Sequence, residues 1–162
     1  ERAKEKAPRI LLTGSTLAEG DYKVLDLVEA AGANIVIEEF CGGLRHYWQR
    51  TEVNDNILEA LAERYFRRRV PCAFARPSIE ERFDFLLKLA RDFKVDGVLW
   101  YNLMYKETYD MESNIFSQVL EKELGIPMLK LESDYDASEK GPFTTRIEAF
   151  VETLKRRQVN VH

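Results

Sequence analysis

Strand-like apolar runs and helix-length amphipathic stretches take turns along nearly the whole chain, and this alternation limits the fold more than any other feature. Arg9 to Thr13 (RILLT) is a short apolar run that ends at Gly14 and Ser15, as a buried strand entering a loop does. Asp21 to Ala31 carries Val24, Leu25, Leu27 and Val28 at helical spacing, with Asp21 placed to cap it and Gly32 where a left-handed terminator belongs. Asn34 to Phe40 (NIVIEEF) reads as a second strand. A helix follows from about Asn54 to Arg68, its stripe of Ile57, Leu58, Leu61, Tyr65 and Phe66 marking one apolar face. Ser78 and Glu81 have the spacing of a capping box ahead of the stripe Ile79, Phe83, Leu86, Leu87, Ala90. Val95 to Asn102 is the third strand, Tyr109 to Leu124 a helix stopped by Gly125 and Pro127, Ile126 to Glu132 the fourth strand. A last helix from about Pro142 to Arg157 buries Ile147, Phe150, Val151 and Leu154.

Strands separated by helices of ten or more residues mean right-handed βαβ units and a parallel sheet. The sequence therefore predicts a doubly wound, flavodoxin-like α/β domain of four to five strands with helices on both faces. At 162 residues it is one domain, with a core over 9–157 behind a charged lead-in of eight residues. A composition 45% hydrophobic and 32% charged is that of a globular protein. The net charge of −4 argues against non-specific nucleic-acid binding, which needs an excess of cations, and the basic run Arg67, Arg68, Arg69 reads as a solvated helix end. No apolar run reaches the roughly 20 residues of a membrane span, and no signal segment opens the sequence, so the default location is cytoplasmic. The two cysteines form neither a disulfide framework nor a CxxC pair.

In a doubly wound sheet, ligands gather at the carboxyl ends of the strands. The first end, Gly14 to Thr16, offers an anion cradle that a flavin phosphate fits, or a plain turn. The second end, FCGGLRHYW, brings Cys41, Arg45, His46 and Trp48 together. Gly42 and Gly43 permit the backbone close approach to a bulky ligand. Cys41 is open to three readings: a soft metal ligand, a nucleophile activated by His46, or a small buried hydrophobe. Cys72, in VPCAFARP with Arg76 and Pro77, reads as plain buried packing, with a thiol aimed by Pro71 as the alternative. The third end places Asn102, Tyr105, Lys106, Glu107, Tyr109 and Glu112 along one lined pocket. The fourth is acidic, with Asp134 and Ser138 as capping residues.

Taken in order, DYKVLDLVEAAGANIV, EEFCGGLRHYW, RVPCAFARP, DGVLWYNLMYKETYDMES and IPMLKLESDYDASEKGPFTTRIEAF resemble the C-terminal domain of the 2-hydroxyacyl-CoA dehydratase and benzoyl-CoA reductase family, from about Arg9 to Leu154. The resemblance implies two flavodoxin-like domains per subunit with a [4Fe–4S] cluster held between them by cysteines. It further implies a second subunit, an ATP-dependent electron-transfer activator, and one-electron reduction of an acyl-CoA thioester. Cys41 then matches a cluster ligand and Cys72 a cysteine common in the family. Arg45, Tyr105, Lys106 and Glu112 stand near the acyl-CoA site, with Gly42 and Gly43 beside the cluster. The sequence departs from the family at Lys106, where a further cysteine is expected; an ammonium has no lone pair to give iron. The remaining ligand would come from an N-terminal domain outside these 162 residues, and the chain alone is expected to be inactive. Against this enzyme reading stand a domain kept for assembly, with a degenerate cluster site, and a flavin-binding module.

Overall fold

The computed structural model describes residues 7–73 and 78–160. Most of the charged lead-in (1–6), together with Arg76 and Pro77 (in 74–77), lies outside the described residues. Four strands, β1 (Arg9–Gly14), β2 (Asn34–Glu39), β3 (Gly97–Leu103) and β4 (Met128–Ser133), form one sheet in the order β2-β1-β3-β4. All three pairings are parallel. Parallel neighbours need crossover connections, and the helices supply them. The expected flavodoxin-like α/β class is what the chain adopts, with four strands among the described residues.

Among the described residues six α-helices surround the sheet: α1 (Lys23–Ala30), α2 (Leu44–Tyr47), α3 (Ile57–Ala62), α4 (Ile79–Asp92), α5 (Glu107–Leu124) and α6 (Lys140–Asn160). A π-helical turn, Glu63–Arg67, extends α3. The strands alternate faces, so two cores form. Ile10, Leu12, Leu99 and Tyr101 pack against Val24 and Val28 of α1 and Ile147, Val151 and Leu154 of α6. Leu11, Val98 and Trp100 pack on the other face against Leu86, Leu89 and Ala90 of α4 and Phe116 and Leu120 of α5. β3 is central and every one of its residues is buried.

Local signals held where backbone geometry decides them and failed where tertiary contacts did. Gly32 (φ +82°) and Gly125 (φ +64°) are left-handed, as terminators should be. Ser78 precedes α4 but makes no side-chain cap. Asp21 does not cap α1 either; its carboxylate accepts from the Tyr101 hydroxyl of β3, a partner outside the local sequence. The largest departure is α3 with its π turn. The side of this helix that is buried carries Ala60 and Arg64, while Ile57, Leu58, Leu61, Tyr65 and Phe66 are all exposed. The apolar stripe exists but does not face this domain's core.

Gly14 ends β1 at φ +136°, and Ser15 N–H donates to the Tyr101 carbonyl at 3.1 Å just beyond it. A Cβ at position 14 would overlap that carbonyl group of the neighbouring strand. Strain and overlap together predict that Gly14→Ala destabilises the fold by about 3 kcal/mol or more. A urea midpoint equal to that of the unmodified protein would contradict this close packing of β1 on β3.

Candidate functional site

The strand ends on the α4–α5 face are polar where the rest of that face is apolar, and a β-bulge arranges this. Ile10 pairs with Ile35 but Leu11 pairs with Ile37, leaving Val36 as an extra residue on β2. Ile35 accordingly joins one core and Ile37 the other. Strict alternation would send Glu39 to the face of Ile35; the added residue turns it onto the α4–α5 face, opposite Thr13. There Glu39 is fully buried. Thr13 Oγ1 donates to its Oε2 at 2.9 Å and to its carbonyl at 3.1 Å.

Arg45, from α2, is the counter-charge. Its Nε donates to Glu39 Oε1, and Nη2 donates to Glu39 Oε2 at 2.7 Å and to the Gly14 carbonyl at 3.2 Å. Burial works against its charge, but the bonds and charge of Glu39 outweigh that and raise its already high pKa. α2 is aimed by the neighbouring acid: Glu38 accepts from Phe40 N–H at 2.9 Å and Leu44 N–H at 2.6 Å, closing the Cys41-Gly42-Gly43 turn. A Cβ at Gly43 would overlap the Glu38 carboxylate, so Gly43 has an internal reason to be glycine, whereas the Cβ position of Gly42 faces open space.

On this pair rests a three-way junction. The Tyr109 hydroxyl of α5 accepts from Arg45 Nη1 at 2.7 Å and lies 3.1 Å from Cys41 Sγ and 3.5 Å from Cys72 Sγ. Arg45 Nη1 also donates to Cys41 Sγ at 3.0 Å. Both cysteines are half-buried thiols. The hydrogen bond with Cys72, reinforced by burial, raises the Cys41 thiol well above its ordinary value, against the pull of Arg45 and Tyr109. Burial raises Tyr109 likewise. Protons therefore stay on these groups until an electrophile such as a metal ion displaces them.

Behind Tyr109 lies a second buried cation, Arg82 of α4. Its guanidinium carbon is 5.3 Å from the Tyr109 ring centre and 6.0 Å from that of Trp100. Nε is 3.0 Å from Glu112 Oε2, and Nη1 3.7 Å from Glu39 Oε1. These are ion-pair distances without hydrogen-bond direction, and none of the three nitrogens makes a hydrogen bond. Burial raises the Glu112 carboxyl, against the opposing pull of Arg82 and Arg45. Asn102, on the same sheet face, is fully buried with neither amide atom paired.

The structure thus joins Cys41, Cys72, Arg45 and Glu112, and separates the other expected residues from them. Tyr105 and Lys106 are exposed and line an open cavity of about 460 Å³ with Met104, Glu107, Asp110, Met111 and Glu132. Tyr105 holds φ +65°, which turns the chain from β3 into α5. His46 packs its ring on Tyr47 and Tyr65, at 5.0 and 5.6 Å, and Trp48 packs on Phe85. Ser15 Oγ accepts from Leu103 N–H at 3.0 Å, so that hydroxyl and its backbone N–H serve the fold. Among the described residues no three of His, Cys, Asp and Glu converge as a metal-binding group. Two soft thiols beside a guanidinium fit two positions of an iron–sulfur ligand set and leave the others to residues outside this group.

A family model for the 2-hydroxyglutaryl-CoA dehydratase D-component matches residues 1–154. The chain belongs to this family. It is similar to the putative dehydratase subunit YjiM of Escherichia coli K12, with 31% identity over 147 residues, covering 91% of this chain and 38% of that protein. It is also similar to the (R)-phenyllactyl-CoA dehydratase beta subunit of Clostridium sporogenes, at 24% identity over 146 residues, with 90% and 38% coverage. The chain therefore spans about two fifths of the length of these relatives. Among the described residues no helix is long and apolar enough to cross a membrane.

Removing one partner of a buried ion pair leaves the other charge uncompensated, so Arg45→Met should cost about 3–5 kcal/mol in a denaturant titration. A loss under about 1 kcal/mol would contradict the buried ion pair as a support of this end of the sheet. The raised Cys41 thiol gives a second expectation. Its alkylation by iodoacetamide should still be accelerating above about pH 10, where an ordinary thiol has levelled off. A rate plateau in the ordinary thiol range would contradict the protonated junction.

Proposed function

We propose that this domain is the part of a 2-hydroxyacyl-CoA dehydratase subunit that supplies Cys41 and Cys72 to a [4Fe–4S] cluster, and that the enzyme is completed by further chain and a second subunit. The observation that carries the reading is the convergence of the two thiols, far apart in sequence, on one tyrosine hydroxyl, with a buried guanidinium on Cys41 and on that same hydroxyl. Family membership supports the acyl-CoA substrate class, and a relative named as a beta subunit supports a partner. When bound and reduced, a cluster of this kind supplies the single electron that turns an acyl-CoA thioester carbonyl into a ketyl radical anion. The protein's part in that chemistry is to hold and orient the reacting groups, exclude water and meet the charge that develops.

Each residue of the junction has a part in this. Cys41 and Cys72 would hold iron as thiolates, and the negative charge they then carry would be met by Arg45, which donates to Cys41 Sγ. Glu39 fixes the Arg45 fork through two bonds, so that Nη1 is left aimed at the sulfur. Tyr109 offers its hydroxyl proton to whichever sulfur is the stronger acceptor. Trp100, Phe116 and the Tyr109 ring keep water from the inner side of the junction. Location in the cytoplasm, and electron delivery by an ATP-dependent activator, belong to the same reading.

The test is anaerobic iron–sulfur reconstitution of the full-length subunit, read by Mössbauer and EPR spectroscopy. Cys41→Ser should abolish or convert the [4Fe–4S] signal, and Cys72→Ser should do so as well. A cluster with unchanged spectra and iron content in both variants would sink the ligand assignment. An unmodified full-length subunit that takes up no iron would favour the assembly domain instead.

A further inference from the structure

Cys41 and Cys72 meet across a single hydroxyl. The Tyr109 oxygen is 3.1 Å from one sulfur and 3.5 Å from the other, and the two thiols hydrogen-bond to each other. Both sit on backbone that can shift. Cys41 opens the turn ahead of α2, and Cys72 lies where the chain forms neither helix nor strand. Gly42, next to Cys41, has open space where a Cβ would stand, so the turn has room to move at that point. The surroundings also survive a change at sulfur. Arg45 keeps Glu39, the Gly14 carbonyl and the Tyr109 hydroxyl as partners when Cys41 Sγ ceases to accept.

Two thiols in contact are the starting geometry of a disulfide. Going from a thiol–thiol hydrogen bond to a covalent S–S bond of about 2.05 Å asks for side-chain rotation and a shift that the Cys41 turn can supply. The protonation of the pair then sets how it behaves. The bond with Cys72 and burial keep the proton on Cys41, so attack on an oxidant is slow. The same protonation favours the closed form at equilibrium, because a stabilised thiolate is what makes a disulfide easy to reduce. A sulfur that holds its proton firmly is also a poor leaving group, so the closed form opens slowly. These are the properties of a stored state rather than of a turnover intermediate.

We propose that, while no metal is bound, Cys41 and Cys72 close into a reversible disulfide with a low-molecular-weight disulfide as the oxidant. One cysteine sulfur loses its proton and attacks the oxidant, whose S–S bond breaks to leave a mixed disulfide and one small thiol. The second cysteine sulfur loses its proton and attacks the mixed disulfide. The Cys41–Cys72 bond forms and a second small thiol leaves. Two electrons pass from the cysteines to the oxidant, and the two cysteine protons end on the two small thiols. Excess small thiol runs the sequence backwards. The closed form has no thiolate to give a metal, so the redox state of the pair decides whether the site can be filled. The disulfide itself needs no cluster; only this effect on metal uptake rests on the ligand reading above.

The experiment uses the full-length subunit, freed of metal by a chelator, reduced, desalted and brought to equilibrium with glutathione disulfide in the absence of air. After acid quenching and alkylation, peptide mass spectrometry should find Cys41 cross-linked to Cys72 about tenfold or more above the glutathione adduct of either residue. Dithiothreitol should return both as free thiols. Cys72→Ser should leave Cys41 as its glutathione adduct, and Cys41→Ser should leave Cys72 as its own. Separate adducts on the two cysteines of the unmodified subunit would overturn the proposal. So would a cross-link of either to another cysteine, or recovery of both as free thiols. Cadmium ion then reads the metal site through its thiolate absorption, which should fall in the cross-linked subunit and return after reduction and desalting. A cross-link that forms while the cadmium absorption stays unchanged would leave the disulfide standing and remove the ligand reading instead.

Discussion

The pairing of Glu39 with Arg45 is the interaction on which the functional end of this domain is built. Both side chains are buried, and two charges taken out of water repay that cost only when geometry and surrounding hydrogen bonds are good. The surroundings meet the condition. Thr13 donates to the carboxylate, the Gly14 carbonyl accepts from the guanidinium, and two Arg45 nitrogens reach two Glu39 oxygens. β1, β2 and α2 are thereby tied at one point, and Cys41 lies on the turn between two of them. The remaining Arg45 nitrogen has nowhere to aim except the sulfur and the Tyr109 hydroxyl. Position of the thiol and position of the ion pair are therefore one fact.

The period-two and period-3.6 patterns made the architecture legible, because they record which side of each element meets a core. Gly32 and Gly125 were legible for a different reason: left-handed backbone leaves little choice of residue. The site was legible only in part. Cys41 and Arg45 stand four positions apart, so one short stretch showed both, but Tyr109 and Cys72 join them from 68 and 31 positions away. Arg82 was hidden inside an otherwise ordinary apolar stripe, and its partner Glu112 lies on another helix. Helical phase then divided the third strand end: Tyr109 and Glu112, three apart, turn inward, while Tyr105 and Lys106 precede the helix proper and stay outside. The stripe of α3 was legible as an apolar face, but not its exposure in this domain, since periodicity reports a face and not what covers it.

The electrostatic character of the junction agrees with its chemistry. Two buried guanidinium groups flank Tyr109, whereas the Cys41 thiol beside it is held neutral by its bond with Cys72 and by burial. Such a site is short of negative charge in its resting form and accommodates it when the thiols ionise. Unpaired polar atoms on Arg82 and Asn102 in the same layer add donors that are not yet used. The chemistry proposed for this site needs a place where extra electron density is tolerated away from water, and a cation-rich, aromatic-walled layer is a physical means to that end.

The extra residue at Val36 has one more consequence. Glu38 and Glu39 are the same amino acid, yet one braces a turn near the surface and the other carries a buried charge. Nothing in either letter assigns the task; the bulge ahead of them does. The same residues paired without the bulge would set Glu38 opposite Thr13 and turn Glu39 to the other face, whereas losing Val36 would remove the bulge and leave Glu39 where it is. Parity along β2, rather than chemical identity, is what tells these two carboxylates apart.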